Sequence, residues 1–207
     1  HCVLSGSRKF RTKEPFMDLI KSSLQTFLNA MTFPDKTIYP VASRNEKDFY
    51  NLMDVYLDAV FYPRIYEEEK IFLQEGWHYD LKSEDDELKY NGVVYNEMKG
   101  AYSSSENIVA DGMSFSLHEN STYGVDSGGD PKLIPSLSYE EFKDYHKKYY
   151  HPSNSYIYIY GNQDMEKVLD FIDNNYLSSF EKEEINSEII LNEELKETKE
   201  VHMTFSA

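Results

Sequence analysis

The stretch from Asn45 to Phe61 constrains the fold most. Phe49, Leu52, Met53, Tyr56, Leu57 and Val60 recur at helical spacing until the Tyr62-Pro63 stop, so this helix needs a partner surface for its apolar face. Other segments share that period. Pro15 is placed to start a helix along which Phe16, Leu19, Ile20, Ser23 and Leu24 follow, after a polar basic turn from Arg8 to Pro15. A helix is expected over Glu67–Trp77, with acids in its first turn, and another over Glu106–Leu117, capped by the serines 103–105. Ser138 and Glu141 form a capping box ahead of a face of Phe142, Tyr145 and Tyr149, and Met165–Tyr176 is amphipathic.

Strand signals are fewer. Gln25–Thr32 and Thr37–Ala42 are joined by a Pro34-Asp35 turn and read as a β-hairpin, and Tyr156–Tyr160, YIYIY, reads as a strand. Tyr90–Tyr95 stands open between a short strand and a helix entry, followed by helix over Asn96–Tyr102. The opening HCVLSGS reads as the tail of an apolar helix stopped at Ser5-Gly6. Strands occur singly or as a hairpin among longer helices, without strand–helix alternation. The fold class is therefore α+β, an antiparallel sheet with helices on one face.

The 207 residues fit one large domain or two small ones, and 40% hydrophobic with 15% aromatic content supports a core. With 37 acidic against 21 basic residues the net charge is −16, a field that repels phosphate backbones and anionic lipid, so neither nucleic acid nor a membrane is an expected partner. Cys2 is the single cysteine, which excludes a disulfide framework and a thiolate zinc cluster and points to a reducing compartment. From Glu181 to Glu200 eight acids face three lysines, a composition suited to a solvated linker. Three regions are expected: a domain over 1–180, an acidic linker over 181–200, and over 201–207 the start of a further domain, with a strand at Val201–Phe205. An opening His-Cys-Val without an initiator Met suggests that the natural N-terminus lies upstream.

One carboxylate stands out. Glu97 sits in the apolar and aromatic helical stretch GVVYNEMKGAYSSS, where a buried acid calls for a cation, whereas an outward-facing Glu needs no partner. No two of the six histidines have the i,i+4 spacing of a shared helical face; His146 and His151 read as surface and helix-end residues. An intact His-Glu-x-x-His, a Gly-x-Ser-x-Gly elbow and a phosphate-binding glycine loop are absent from the sequence. The residues taken singly lead no further than an acidic α+β domain.

Seven stretches in order, HCVLSGS, TFLNAMTFPDKTIYP, DFYNLMDVYLDAVFYP, FLQEGWHYDL, GVVYNEMKGAYSS, YGVDSGGDP and YHPSNSYIYIYGN, resemble the inverted-zinc-motif metallopeptidases of the insulinase superfamily, in its presequence protease and falcilysin branch. The resemblance implies a piece of the N-terminal catalytic domain of a zinc metalloendopeptidase that degrades short unfolded peptides, cytoplasmic in a bacterium or in an organelle matrix in a eukaryote. It matches His1 to the second His of His-x-x-Glu-His and Glu97 to the distant zinc ligand. Two imidazoles and a carboxylate leave a position for water on tetrahedral zinc. The first His and the general-base Glu would precede His1, so the chain is expected to be inactive alone and to work with the remaining domains of its polypeptide. Asn29 and Ala30, in FLNAMT, match the edge strand that pairs with a substrate backbone; by residue type alone Asn29 is a turn former. Glu75 and the Ser127–Asp130 loop match without an assigned chemistry. The alternative is a non-catalytic member of the superfamily that binds peptides or serves in assembly.

Overall fold

The structure, a computed structural model, describes residues 1–12 and 15–204. It divides into two compact units: His1–Ala30, Tyr39–Ile71 and Ser138–Ser187 in the first, and Met31–Ile38, Phe72–Leu137 and the residues from Glu188 on in the second. The α+β class holds. The antiparallel pairing is distributed over three two-stranded ladders.

The first unit is built on α2 (Glu46–Phe61), capped by Asn45, whose side chain accepts the Asp48 N–H at 3.0 Å. Nearly every turn of α2 is buried, with Leu52, Met53, Tyr56 and Ala59 almost inaccessible. It packs against β1 (Gln25–Leu28) and β4 (Val41–Ser43), which pair antiparallel with Leu28 opposite Val41 and a bulge between Gln25 and Phe27. Phe49 and Met53 also meet Val168 and Ile172 of α7 (Met165–Asn175) in one apolar cluster. Asp58 lies within this helix at 0% exposure, which a lone carboxylate does not tolerate. It accepts from Arg8 Nη2 at 3.1 Å and from the Lys9 backbone N–H at 2.7 Å, so the charge is paired and the N-terminal segment is tied to the helix. The unit is completed by α1 (Pro15–Ser22), which starts at the expected proline, and by α6 (Tyr139–Tyr149), where the Ser138–Glu141 capping box forms in both directions. Lys13 and Glu14, in the expected basic turn, lie outside the described residues.

In the second unit β2 (Met31–Thr32) pairs with β3 (Thr37–Ile38) through the expected turn, where the Phe33 N–H donates to the Lys36 carbonyl at 2.8 Å. The helix α3 (Glu69–Glu75) begins in the last residues of the first unit and is shorter at both ends than its sequence pattern; a single 3-10 turn of the first unit, Arg64–Tyr66, precedes it. β5 (His78–Asp80) pairs with β6 (Lys89–Asn91), placing Tyr79 opposite Tyr90 with Trp77 edge-on to both. Helices α4 (Val93–Ala101) and α5 (Ser105–Leu117) follow, the latter capped by Ser104. Gly92, at φ +152°, makes the strand-to-helix corner: a Cβ there would lie 2.2 Å from the Gly76 carbonyl oxygen. Backbone cannot yield as a flexible side chain does. Gly92→Ala is therefore expected to destabilise the chain by about 2 kcal/mol or more, read as a lower urea midpoint at unchanged m.

Two expected strands are not found among the described residues. Tyr156–Tyr160 carries no regular secondary structure and has no paired strand among the described residues. Residues 181–204 carry no regular secondary structure and are largely exposed, yet the segment is tied down in places: Glu183 N–H donates to Ser153 Oγ at 3.0 Å within the first unit, and Ile190 and Thr122 exchange hydrogen bonds at 2.9 Å within the second. Val201–Thr204 form no strand, and residues 205–207 lie outside the described residues.

Candidate functional site

His1 is exposed at the start of the first unit. It caps a 3-10 turn, Cys2–Leu4, its carbonyl accepting the Leu4 N–H at 3.0 Å; Val3 is the buried anchor of that turn. The turn is capped at Ser5 and followed by Gly6, whose φ of +112° suits glycine and whose carbonyl accepts the Arg64 N–H at 3.0 Å. The expected helix tail is thus a single 3-10 turn, anchored by buried Val3 and followed by the Gly6–Arg64 bond.

Glu97 lies on α4 in the second unit. Tyr95 is the buried residue of this helix, and at 100° per residue Glu97 points some 200° away from it. Glu97 is exposed, which overturns the premise of a buried carboxylate. An exposed acid needs no cation for its solvation, so the case for Glu97 as a ligand rests on its position in the NEMKGA stretch and not on burial. Because the two residues belong to different units, each is placed within its own.

Asn29 and Ala30 follow β1. Asn29 is exposed and Ala30 half-buried; the Asn29 side-chain oxygen accepts the Ala30 N–H at 2.9 Å, and the Asn29 N–H donates to the Pro40 carbonyl at 3.1 Å. That local bond is what a turn-forming Asn makes, and it occupies the Ala30 amide. β1 itself has no strand on its other side among the described residues. Glu75 accepts from Gln74 Nε2 at 2.9 Å, and Asp126 and Asp130 accept the N–H groups of Gly128 and Lys132, each at 2.8 Å.

The remaining histidines are placed by their own partners. His146 is buried, contrary to the surface position expected for it. Its Nε2 donates to the Val60 carbonyl at 3.0 Å, so its Nδ1 accepts from the Tyr66 hydroxyl at 2.6 Å. Burial lowers its pKa from 6.5 to about 4, although the bond to Val60 opposes the shift. The Tyr66 hydroxyl is pushed up to about 12 by the same burial, with a contribution from Asp144. Both ring nitrogens of His146 are engaged, which removes it from any ligand set. His151 Nδ1 accepts the Ser153 N–H at 3.1 Å, and His78 Nδ1 is 2.6 Å from the Leu73 carbonyl.

A cluster that no spacing signalled lies in the second unit around Tyr102. Burial raises the Tyr102 hydroxyl, and the charges of Asp126 and Asp130 raise it further; Asp111 is raised by burial and by Asp126. These residues are brought together by tertiary contact, which has no sequence period.

An imidazole and a carboxylate are donors that zinc accepts, so His1 and Glu97 fit the ion in kind. Two donors do not close a tetrahedral site. Among the described residues no group of three or more His, Cys, Asp or Glu is arranged to hold a metal. No helix among them is long and apolar enough to cross a membrane.

The family described as "Peptidase M16 inactive domain" matches residues 136–204. Protein HypA of Clostridium perfringens is 62% identical over 205 residues, 99% of this chain and 21% of that protein. Presequence protease 1, chloroplastic/mitochondrial, of Arabidopsis thaliana is 56% identical over 181 residues, 87% of this chain and 17% of the relative. Mouse mitochondrial presequence protease is 42% identical over 207 residues, 99% of this chain and 20% of its own length. The chain therefore spans about a fifth of the length of these relatives. This likeness extends from a bacterial protein to plant and animal presequence proteases and, with the match over residues 136–204, makes the chain similar to a segment of M16 peptidases.

Proposed function

We propose that the longer protein to which this chain corresponds is a zinc-dependent metalloendopeptidase acting on short unfolded peptides, in a bacterial cytoplasm or an organelle matrix. The observation that carries the reading is the identity to presequence proteases along nearly the whole chain. His1 and Glu97 supply two zinc ligands, and the third ligand and general-base Glu come from upstream. Zinc in such a site acts as a Lewis acid on the scissile carbonyl and lowers the pKa of a bound water. The chain's own contribution is to hold an imidazole on a fastened 3-10 turn and a carboxylate on the exposed face of α4. The open side of β1, Gln25–Leu28, offers main-chain groups to an extended peptide, with Asn29 and Ala30 at its end as the residues beside it. A field of −16 favours cationic peptides.

One observation favours a second reading. The family matched over residues 136–204 is described as inactive, which fits a non-catalytic part that binds peptides or serves in assembly. The two readings separate in an assay. The longer protein is expected to cleave short unfolded peptides and to stop when a chelator is added, while the 207-residue chain cleaves none and shows no tight stoichiometric zinc binding by calorimetry. A longer protein that binds such peptides intact, with or without zinc, would establish the non-catalytic reading.

A further inference from the structure

Asp58 is a carboxylate that stability alone does not call for. It lies on the last turn of α2 at 0% exposure, where an apolar side chain of similar volume often serves as well as a buried ion pair. What the carboxylate adds is direction, because both of its oxygens are engaged by the segment that follows His1. Oδ1 accepts from Arg8 Nη2 at 3.1 Å and Oδ2 from the Lys9 N–H at 2.7 Å. Backbone bonds hold the same segment. Ser7 pairs antiparallel with Pro63 in a single bridge, flanked by the Arg64 N–H on the Gly6 carbonyl at 3.0 Å and the Arg8 N–H on the Tyr62 carbonyl at 2.9 Å. The Arg8 guanidinium lies over the Tyr62 ring, 3.6 Å from its centre. Lys9 Nζ donates to Asp54 Oδ1 at 2.7 Å and to the Tyr176 hydroxyl at 2.9 Å. All of these residues belong to the first unit.

We infer that Asp58 is a positioning residue for His1: by gripping Arg8 and Lys9 it fixes the 3-10 turn Cys2–Leu4, and with it the direction of the imidazole. A metal ligand must be held within about 0.5 Å of its working position by groups whose own rotamers are locked, and loss of such a support weakens the metal without removing a ligand. The grip is near enough to act in this way. The first backbone bond of the segment is already at Gly6, and the turn, with Val3 as its buried residue, packs on α2 and on the Arg64–Tyr66 turn, the same surfaces that hold residues 6–9. The inference rests on the proposed reading of His1 as a zinc ligand and assigns Asp58 no contact with the ion.

Asp58→Asn in the longer protein keeps the volume, loses the charge and sets an amide N–H against one of the two donors. Its zinc Kd is expected to rise at least ~10-fold. In the metal-free protein the Leu4 and Ser5 amides, which donate to the His1 and Cys2 carbonyls, are expected to exchange at least ~10-fold faster than in wild type. Val168→Ala, in the apolar cluster with Phe49 and Met53, supplies a loss of stability away from this segment. Its urea midpoint is expected to fall while its zinc Kd and its Leu4 and Ser5 exchange stay within about twofold of wild type. Arg8→Gln, at a side chain 44% exposed, is expected to give the same two changes as Asp58→Asn and decides the matter where that variant does not fold. Arg8→Lys keeps a cation beside Asp58 and is expected to show smaller changes than Arg8→Gln. Zinc Kd or turn exchange in Asp58→Asn and Arg8→Gln at the level of Val168→Ala would overturn the inference and leave Asp58 with a role in stability alone. A wild-type longer protein that binds no zinc would retire His1 as a ligand, and exchange at Leu4 and Ser5 in the metal-free protein would still decide whether Asp58 fixes the turn.

Discussion

Glu97→Gln in the longer protein is expected to lower kcat/KM on a short unfolded peptide by at least ~100-fold. Loss of a residue that merely orients a ligand costs 10–100-fold, and replacing a ligand itself does no less. Gln keeps the shape and removes the charge that the proposed zinc site requires. The position isolates this effect well: Glu97 is exposed on α4, while the buried anchor of that helix is Tyr95, so the substitution leaves packing intact. The urea midpoint is therefore expected to stay within the range of ordinary surface substitutions, ~0.5 kcal/mol. Activity that falls together with stability would make Glu97 a structural residue.

His146 gives the second large effect, on stability. Its folded pKa of about 4 lies below the unfolded value of 6.5, so the unfolded chain binds the proton first as pH falls. The contribution of the neutral, buried imidazole is fully present above pH 6.5 and is lost between 6.5 and 4, at roughly 1.4 kcal/mol per pKa unit, or about 3 kcal/mol in all. Tyr66, the Val60 carbonyl and the Tyr150 ring stacked at 4.5 Å enclose it, and none of these offers a carboxylate to stabilise an imidazolium. His146→Gln retains an acceptor for Tyr66 and a donor for Val60 but does not titrate. Urea unfolding at several pH values is expected to show wild type losing about 3 kcal/mol more than His146→Gln between pH 7 and 4. Parallel curves would show that the imidazole titrates equally in both states.

Local chemistry was the part of the fold most readable from sequence. The Ser138–Glu141 box, the Ser104 cap, the Pro34-Asp35 turn and the apolar face of Asn45–Phe61 each depend on a few neighbouring residues, and the structure shows all four. What sequence missed depends on partners distant in the chain. β5 is three residues long, too short for a period, and exists because Lys89–Asn91 pairs with it. His146 is buried by Tyr66 and the Val60 carbonyl at 80 and 86 positions' distance, which no spacing reports. Tyr156–Tyr160 has a strand's composition and, among the described residues, lacks a strand's partner. The site divides in the same way. The resemblance picked out His1 and Glu97, whereas the burial argument for Glu97 failed because one acidic residue in an apolar run can still face solvent. For Asn29 the bond to the Ala30 amide agrees with the turn-forming role read from residue type.

The claim that His1 and Glu97 are zinc ligands is tested most directly by metal content. The longer protein, purified without added metal and dialysed, is expected to carry one zinc per chain, and the His1→Ala and Glu97→Gln forms, folded by circular dichroism, to carry less than about a tenth of that. One zinc per chain retained in both variants would contradict the account.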